Sequence, residues 1–355
     1  MTGLTPPGGP RRPCFTHPGR PHPLRSRTMS DWPKVRLHVV TGKGGTGKST
    51  VAAALALALA SGGKNVLLCE VEGRQGIARM FDVDPLPFEE RRLTTGLPGP
   101  DGTPGVVHAL HIDPEAALLE YLALYYKLGR AGRALDRFGV IEFATTIAPG
   151  VRDVLLTGKV FEAVQRNSRN KGAIEYDAVV LDAPPTGRIV QFLNVSNELA
   201  GLAKVGPVRS QADTMMTLFR SPRTAVHLVT VLEEMPVQET SDGIAELRSV
   251  DLPVGGVVVN LVRPQDLTPE QLAAVDAGTV AADLEAAGVA PVPTLVDSLV
   301  TEGREHAERR TLEASQRAIV AGLDVPAYEL PRLPQGVDLG ALYELAGSLR
   351  EQGLA

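Results

Sequence analysis

The stretch VRLHVVTGKGGTGKSTVAAALALALA, from Val35 to Ala60, switches from a strand pattern to a helix pattern across one glycine-rich turn. Apolar and β-branched residues through Thr41 read as a buried strand, and the Ala/Leu run from Val51 to Ala60 reads as a helix. Between them, Gly42-Lys43-Gly44-Gly45-Thr46-Gly47-Lys48-Ser49 satisfies G-x-x-x-x-G-K-[ST], in the strand–loop–helix context that this motif requires. Glycines let successive backbone N–H groups turn inward toward phosphate oxygens, with a helix N-terminus behind them. Lys48 is then expected against the β- and γ-phosphates of ATP, and Ser49 on Mg²⁺, with Thr50 following it into the site. Lys43 is left over. The chain has only 8 lysines against 28 arginines, and a cation in a glycine nest must point outward, so this one needs a chemical reason.

Beyond this loop, the bulk numbers narrow the class. At 355 residues, 43% hydrophobic and 22% charged, the chain can build one large core, and a net charge of −5 gives no general attraction to nucleic acid. Cys14 and Cys69 are too few for a disulfide framework or a zinc cluster, which fits a reducing cytoplasm. No apolar run reaches the length of a membrane span, so no stable membrane insertion is expected. Residues 1–34 read as a disordered extension or as sequence upstream of the true start. The first 28 hold seven prolines, five arginines and no carboxylate, and Met29 opens the more ordered text.

From Val35 onward, helical text separates runs rich in Val and Leu at Val35–Thr41, Asn65–Val71, Asp177–Asp182, Ala225–Val231 and Val254–Asn260. The expected fold class is α/β, a mostly parallel sheet with helices on both faces. The 106 residues from Val71 to Tyr176 are too many for one crossover. Apolar helical segments at about 112–170 and 195–222 are therefore read as a helical subdomain inserted into a domain spanning 35–355. Their Leu and Met faces are core or dimer contacts on one reading and a groove for apolar cargo on the other.

The KGGTGKS loop resembles the deviant Walker A loop of a P-loop ATPase family that includes arsenite-pump and tail-anchored-protein-targeting ATPases. In that family the early lysine acts at a dimer interface, so the resemblance implies a nucleotide-bridged homodimer, or a heterodimer with a paralogous ATPase, in which Lys43 assists catalysis. The segment YDAVVLDAPPTGRIVQFL is similar to the family's second switch. It implies that Asp182 is catalytic and holds Mg²⁺ with Ser49, that Gly187 meets the γ-phosphate, and that Arg188 stands where the family has histidine. VLLCEVEGRQGIARMF occupies the position of the first switch, with Glu72 as the water-positioning base and Glu70 as the alternative. Asn260 and the late loop at Pro331 and Leu333 are implied as adenine contacts.

The resemblance implies a Mg-dependent ATPase, a nucleotide-driven dimer switch acting on a protein or anion cargo or on a membrane protein. Two cysteines cannot supply an arsenite site. The C-terminal LGALYELAGSLREQGLA carries one arginine against two glutamates, which favours docking on the domain over a lipid surface. A slow, nucleotide-binding regulatory subunit paired with an active paralogue is the other reading, and the altered first switch motivates it.

Overall fold

The computed structural model of the chain describes residues 30–71, 73, 75–126, 149–166, 172–194, 207–264, 267–276 and 279–355. Its strands are β1 (Leu37–Gly42), β2 (Asn65–Glu70), β3 (Arg91–Pro98), β4 (Pro104–His111), β5 (Ala178–Asp182), β6 (Thr224–Thr230), β7 (Val254–Val262) and β8 (Ala327–Pro331). Among the described residues the helices are α1 (Lys48–Leu59), α2 (Gly76–Met80), α3 (Pro114–Tyr126), α4 (Pro149–Gln165), α5 (Thr186–Leu193), α6 (Pro207–Phe219), α7 (Glu234–Ser249), α8 (Pro269–Asp276), α9 (Val280–Ala286), α10 (Pro293–Ala321) and α11 (Leu339–Glu351).

The eight strands form one sheet in the order β3-β4-β2-β5-β1-β6-β7-β8. Among the described strands only β3 runs antiparallel to its neighbour, β4. Alternate side chains of the central strands serve two cores. Val40, Leu68, Val180 and Val229 pack beneath α1 and α11, while Val39, Leu67, Val179 and Leu228 pack against α4, α5, α6 and α7. Being buried on both faces is what makes these strands read as continuous Val/Leu runs.

The same criterion does not find β3, β4 and β8. β3 is a half-exposed edge strand, and the Gly/Pro-rich turn before β4 has the composition of a loop. β8 has only five residues. The long stretch between Val71 and Tyr176 therefore contains two strands as well as helices. The described parts of the expected helical insertions, α3, α4 and α6, send Leu118, Leu156, Val160, Met215 and Phe219 into the same core as the sheet. Residues 127–148, 167–171 and 195–206, which carry the rest of those insertions, lie outside the described residues.

At the C-terminus, Asp338 caps α11 by accepting from the Ala341 N–H at 2.8 Å. Leu342, Leu345 and Leu349 are buried against the α1 side of the sheet. Each is worth about 1.5–3 kcal/mol relative to exposure, so this apolar stripe is used by the domain rather than offered to lipid. No described helix is long and apolar enough to cross a membrane.

Trp32, on the extension side of the boundary expected at residue 34, donates from Nε1 to the Tyr328 hydroxyl at 3.1 Å. That hydroxyl donates in turn to Asp31 at 2.8 Å.

Candidate functional site

β1 lies centrally between β5 and β6, so its carboxyl end opens where neighbouring loops diverge, the usual ligand crevice of an open parallel sheet. Gly42 ends the strand. A Cβ there would overlap the Val229 carbonyl of β6, so no larger residue lets the chain turn away at this point. Gly47, at φ +87°, is the left-handed residue that starts α1, and a Cβ there would strike the Asn260 amide. Thr46 closes the turn by donating its hydroxyl to the Lys43 carbonyl at 2.9 Å.

α1 begins at Lys48 with no side-chain cap and no acidic residue in its first turn. Its leading N–H groups and the positive end of its dipole are thus left to an anion. From the same turn, the Ser49 hydroxyl donates to Asp182 Oδ2 at 2.6 Å. Asp182 ends β5 and is buried, so hydroxyl and carboxylate converge at the sheet edge. A hard divalent cation takes this kind of oxygen donor set, directly or through water. Thr50 Oγ1 points elsewhere, 3.7 Å from the Met80 sulfur.

The other residues expected at the site fall into three groups. Asn260 is buried, and its amide donates to the Thr46 carbonyl at 2.9 Å, bracing the loop from β7. Val262 pairs with Pro331, and the Arg332 N–H donates to the Val262 carbonyl at 2.8 Å, which brings the Pro331–Leu333 loop to the same edge as Asn260. Gly187 lies in the first turn of α5, with open space where a side chain would stand. Thr41 donates to the Pro184 carbonyl at 2.7 Å, fixing the segment that leads into that helix.

Arg188 reaches Asp153 of α4 at 3.6 Å. Both line a cavity of about 130 Å³, with Val71, Pro184 and Phe192 also in its wall. Glu72 lies outside the described residues. Glu70 does not: it is buried, and it accepts from the Gly76 N–H at 2.7 Å. Cys69 is buried in the core, and burial pushes its thiol far above the ordinary range, which suits no metalloid ligand.

Sequence reasoning assigned no role to Glu239. It lies on α7 and holds the Lys43 ammonium at 2.9 Å, with both side chains roughly one-third exposed. His111, 3.6 Å from Glu70, was also not anticipated. Glu239 lies within the segment LEEMPVQETSDGIAEL, which resembles the same family as the KGGTGKS loop, but nothing in its spacing points to Lys43, and only the tertiary arrangement reveals either contact.

The description "anion-transporting ATPase" belongs to the family model that matches residues 35–222, slightly over half the chain and the part that carries the glycine-rich loop and the segments around Glu70 and Asp182. The chain belongs to the anion-transporting ATPase family. The ATPase BagA of Mycobacterium tuberculosis is 54% identical over 332 residues, which cover 91% of this chain and 96% of that protein. More distant relatives are the ATPase GET3 of Kluyveromyces lactis, 25% identical over 62% of this chain and 70% of its own length, and the ATPase get3 of Schizosaccharomyces japonicus, 24% identical over 72% and 82%. This member of the anion-transporting ATPase family is thus an ATPase and binds a nucleotide, and its uncapped α1 N-terminus is the feature suited to receive phosphate.

Proposed function

We propose that this ATPase works as a Mg²⁺-dependent, nucleotide-bridged dimer that couples ATP turnover to a protein cargo or a membrane-protein partner. The Ser49–Asp182 contact at the mouth of the uncapped α1 N-terminus carries the reading, because it brings a hydroxyl and a carboxylate to the place where phosphate oxygens would end. Backbone N–H groups of Gly42 to Thr50 and the Lys48 ammonium hold the triphosphate. Ser49 and Asp182 hold the cation, which when bound neutralises charge on the β- and γ-oxygens. Glu72 orients the attacking water. Asn260, Pro331 and Leu333 line the adenine edge, and Gly187 meets the γ-phosphate.

Lys43 supports the dimer. It sits at the rim of the loop, and an exposed ion pair such as Lys43–Glu239 contributes only about 0–1 kcal/mol. A nucleotide on a partner can therefore displace it readily. Analytical ultracentrifugation with ATP and magnesium tests this: Lys43→Ala is expected to stay monomeric where the wild-type chain dimerises, while keeping its thermal midpoint. Dimerisation of both chains alike would remove Lys43 from the interface. Glu239→Ala, which frees the ammonium, is expected to lower the ATP concentration needed for half-maximal dimerisation about 2- to 5-fold, the scale of losing one exposed pair. A higher requirement would mean that Glu239 orients Lys43 rather than restrains it.

One observation favours the slow regulatory subunit. Gln75, at the family's histidine position in the first switch, brackets Leu86 through two hydrogen bonds of 2.8 and 3.1 Å and is thereby committed to holding the loop. Single-turnover hydrolysis by the purified chain separates the two readings, since brisk turnover without a paralogue excludes the regulatory one.

A further inference from the structure

Glu70 ends β2, in register with Asp182 on β5 and with His111 on β4. Register partners on neighbouring strands turn their side chains to the same face. His111, Glu70 and Asp182 therefore form a row on the α1 side of the sheet, and Ser49 meets the row at Asp182. Glu70 is 2% exposed. Its Oε1 accepts the Gly76 N–H at 2.7 Å, but its Oε2 is buried with no hydrogen-bond partner and lies 3.6 Å from His111 Nδ1.

A buried carboxylate oxygen without a donor is unfavourable, and a second carboxylate one strand away makes it more so. A hydrated divalent cation relieves both problems. Mg²⁺ gives up its waters reluctantly, and those waters donate to carboxylates around it. We propose that Glu70 is a further carboxylate of the divalent-cation site, accepting hydrogen bonds from the cation's water shell beside Asp182. This rests on the Mg²⁺-dependent reading above.

Glu70 also ties the two ends of the first switch, since it precedes Val71 and accepts from Gly76. Val71 and Gly76 are thus held together by a residue in register with Asp182. In the resembled family pattern S-T-D-P-A-H this position is serine, so the additional charge is a property of this chain's own sequence.

Glu70→Gln separates the proposal from a purely structural role. The amide oxygen still accepts from Gly76, and only the charge is lost. The probe is Mn²⁺, followed by its electron paramagnetic resonance signal in the full chain saturated with a non-hydrolysable ATP analogue. Glu70→Gln is expected to weaken Mn²⁺ binding about tenfold or more, the usual consequence of removing a group around a metal's ligands. Analogue affinity in EDTA should match the wild type. Equal Mn²⁺ affinity in variant and wild type overturns the proposal and leaves Glu70 as a backbone anchor. If Glu70→Gln does not fold, Glu70→Asp serves, because it keeps the charge but withdraws it by one methylene. A weaker Mn²⁺ affinity is expected there too, and an unchanged one is equally fatal. A wild-type chain that binds no analogue, with or without metal, overturns the parent reading instead.

Discussion

Lys48→Ala is expected to lower kcat for ATP hydrolysis by about 10²- to 10³-fold, the scale of losing one group that stabilises transition-state charge. Lys48 is the first residue of a helix whose N-terminus has neither a side-chain cap nor an acidic residue in its first turn. The fold should survive, because alanine is the best helix former and the loop's shape depends on Gly42, Gly47 and the Thr46–Lys43 turn. Single-turnover hydrolysis, with circular dichroism as the folding control, measures the effect. Wild-type turnover in the variant would remove phosphate binding from residues 42–49.

Acidification from pH 6.5 to pH 4 is expected to destabilise the protein by about 3 kcal/mol through His38 alone, with a further loss in the same direction through His227, two histidines on the central strands that play no part in the nucleotide site. His38 on β1 and His227 on β6 stack 5.3 Å apart, with His38 Nδ1 3.1 Å from His227 Nε2. The Gly256 N–H donates to His227 Nδ1 at 3.1 Å. That bond assigns the His227 proton to Nε2, from which it is donated to His38. A second proton on either ring would set N–H against N–H. Burial, aided by Lys64, pushes the His38 pKa down to about 3, and burial followed by His38 holds His227 well below its ordinary value.

Both folded-state values lie below the unfolded one, so the unfolded chain binds more protons as pH falls below about 6.5. Stability is therefore full above that pH and declines toward pH 3, at about 1.4 kcal/mol per pH unit for each histidine once its unfolded form is charged. Urea midpoints at stepped pH values check this. Trp32, the only tryptophan, lies edge-on to His227 with ring centroids 5.5 Å apart and supplies the fluorescence signal. His38→Gln removes one titrating group while its amide oxygen can still accept from His227. Its stability should start lower but fall less steeply. Equal slopes in variant and wild type would rule out the pair as the acid-sensitive element.

The central strands and the glycine-rich turn from β1 into α1 were legible because their determinants are local. β1, β2, β5, β6 and β7 are rich in Val and Leu and buried at nearly every position, and the loop's glycines stand where the backbone approaches β6 or turns left-handed. β3 escaped notice because its exposed Arg91, Arg92 and Thr95 carry no apolar period. β4 is a strand chiefly through its place beside β2, after a turn with the composition of a loop.

Sequence alone thus determined the parallel α/β class, the glycine-rich strand–loop–helix turn that carries Lys43, Lys48 and Ser49, and the assignment of Asp182 to a strand end. These follow from spacing along a short length of chain, where each residue's neighbours limit its backbone. The tertiary structure alone decided that Glu239 holds Lys43, that Asn260 braces Thr46 from 214 residues away, and that Glu70 stands in register with Asp182. Those pairings depend on strand order and register, which are settled when helices bury both faces of the sheet. No stretch of sequence encodes that packing by itself.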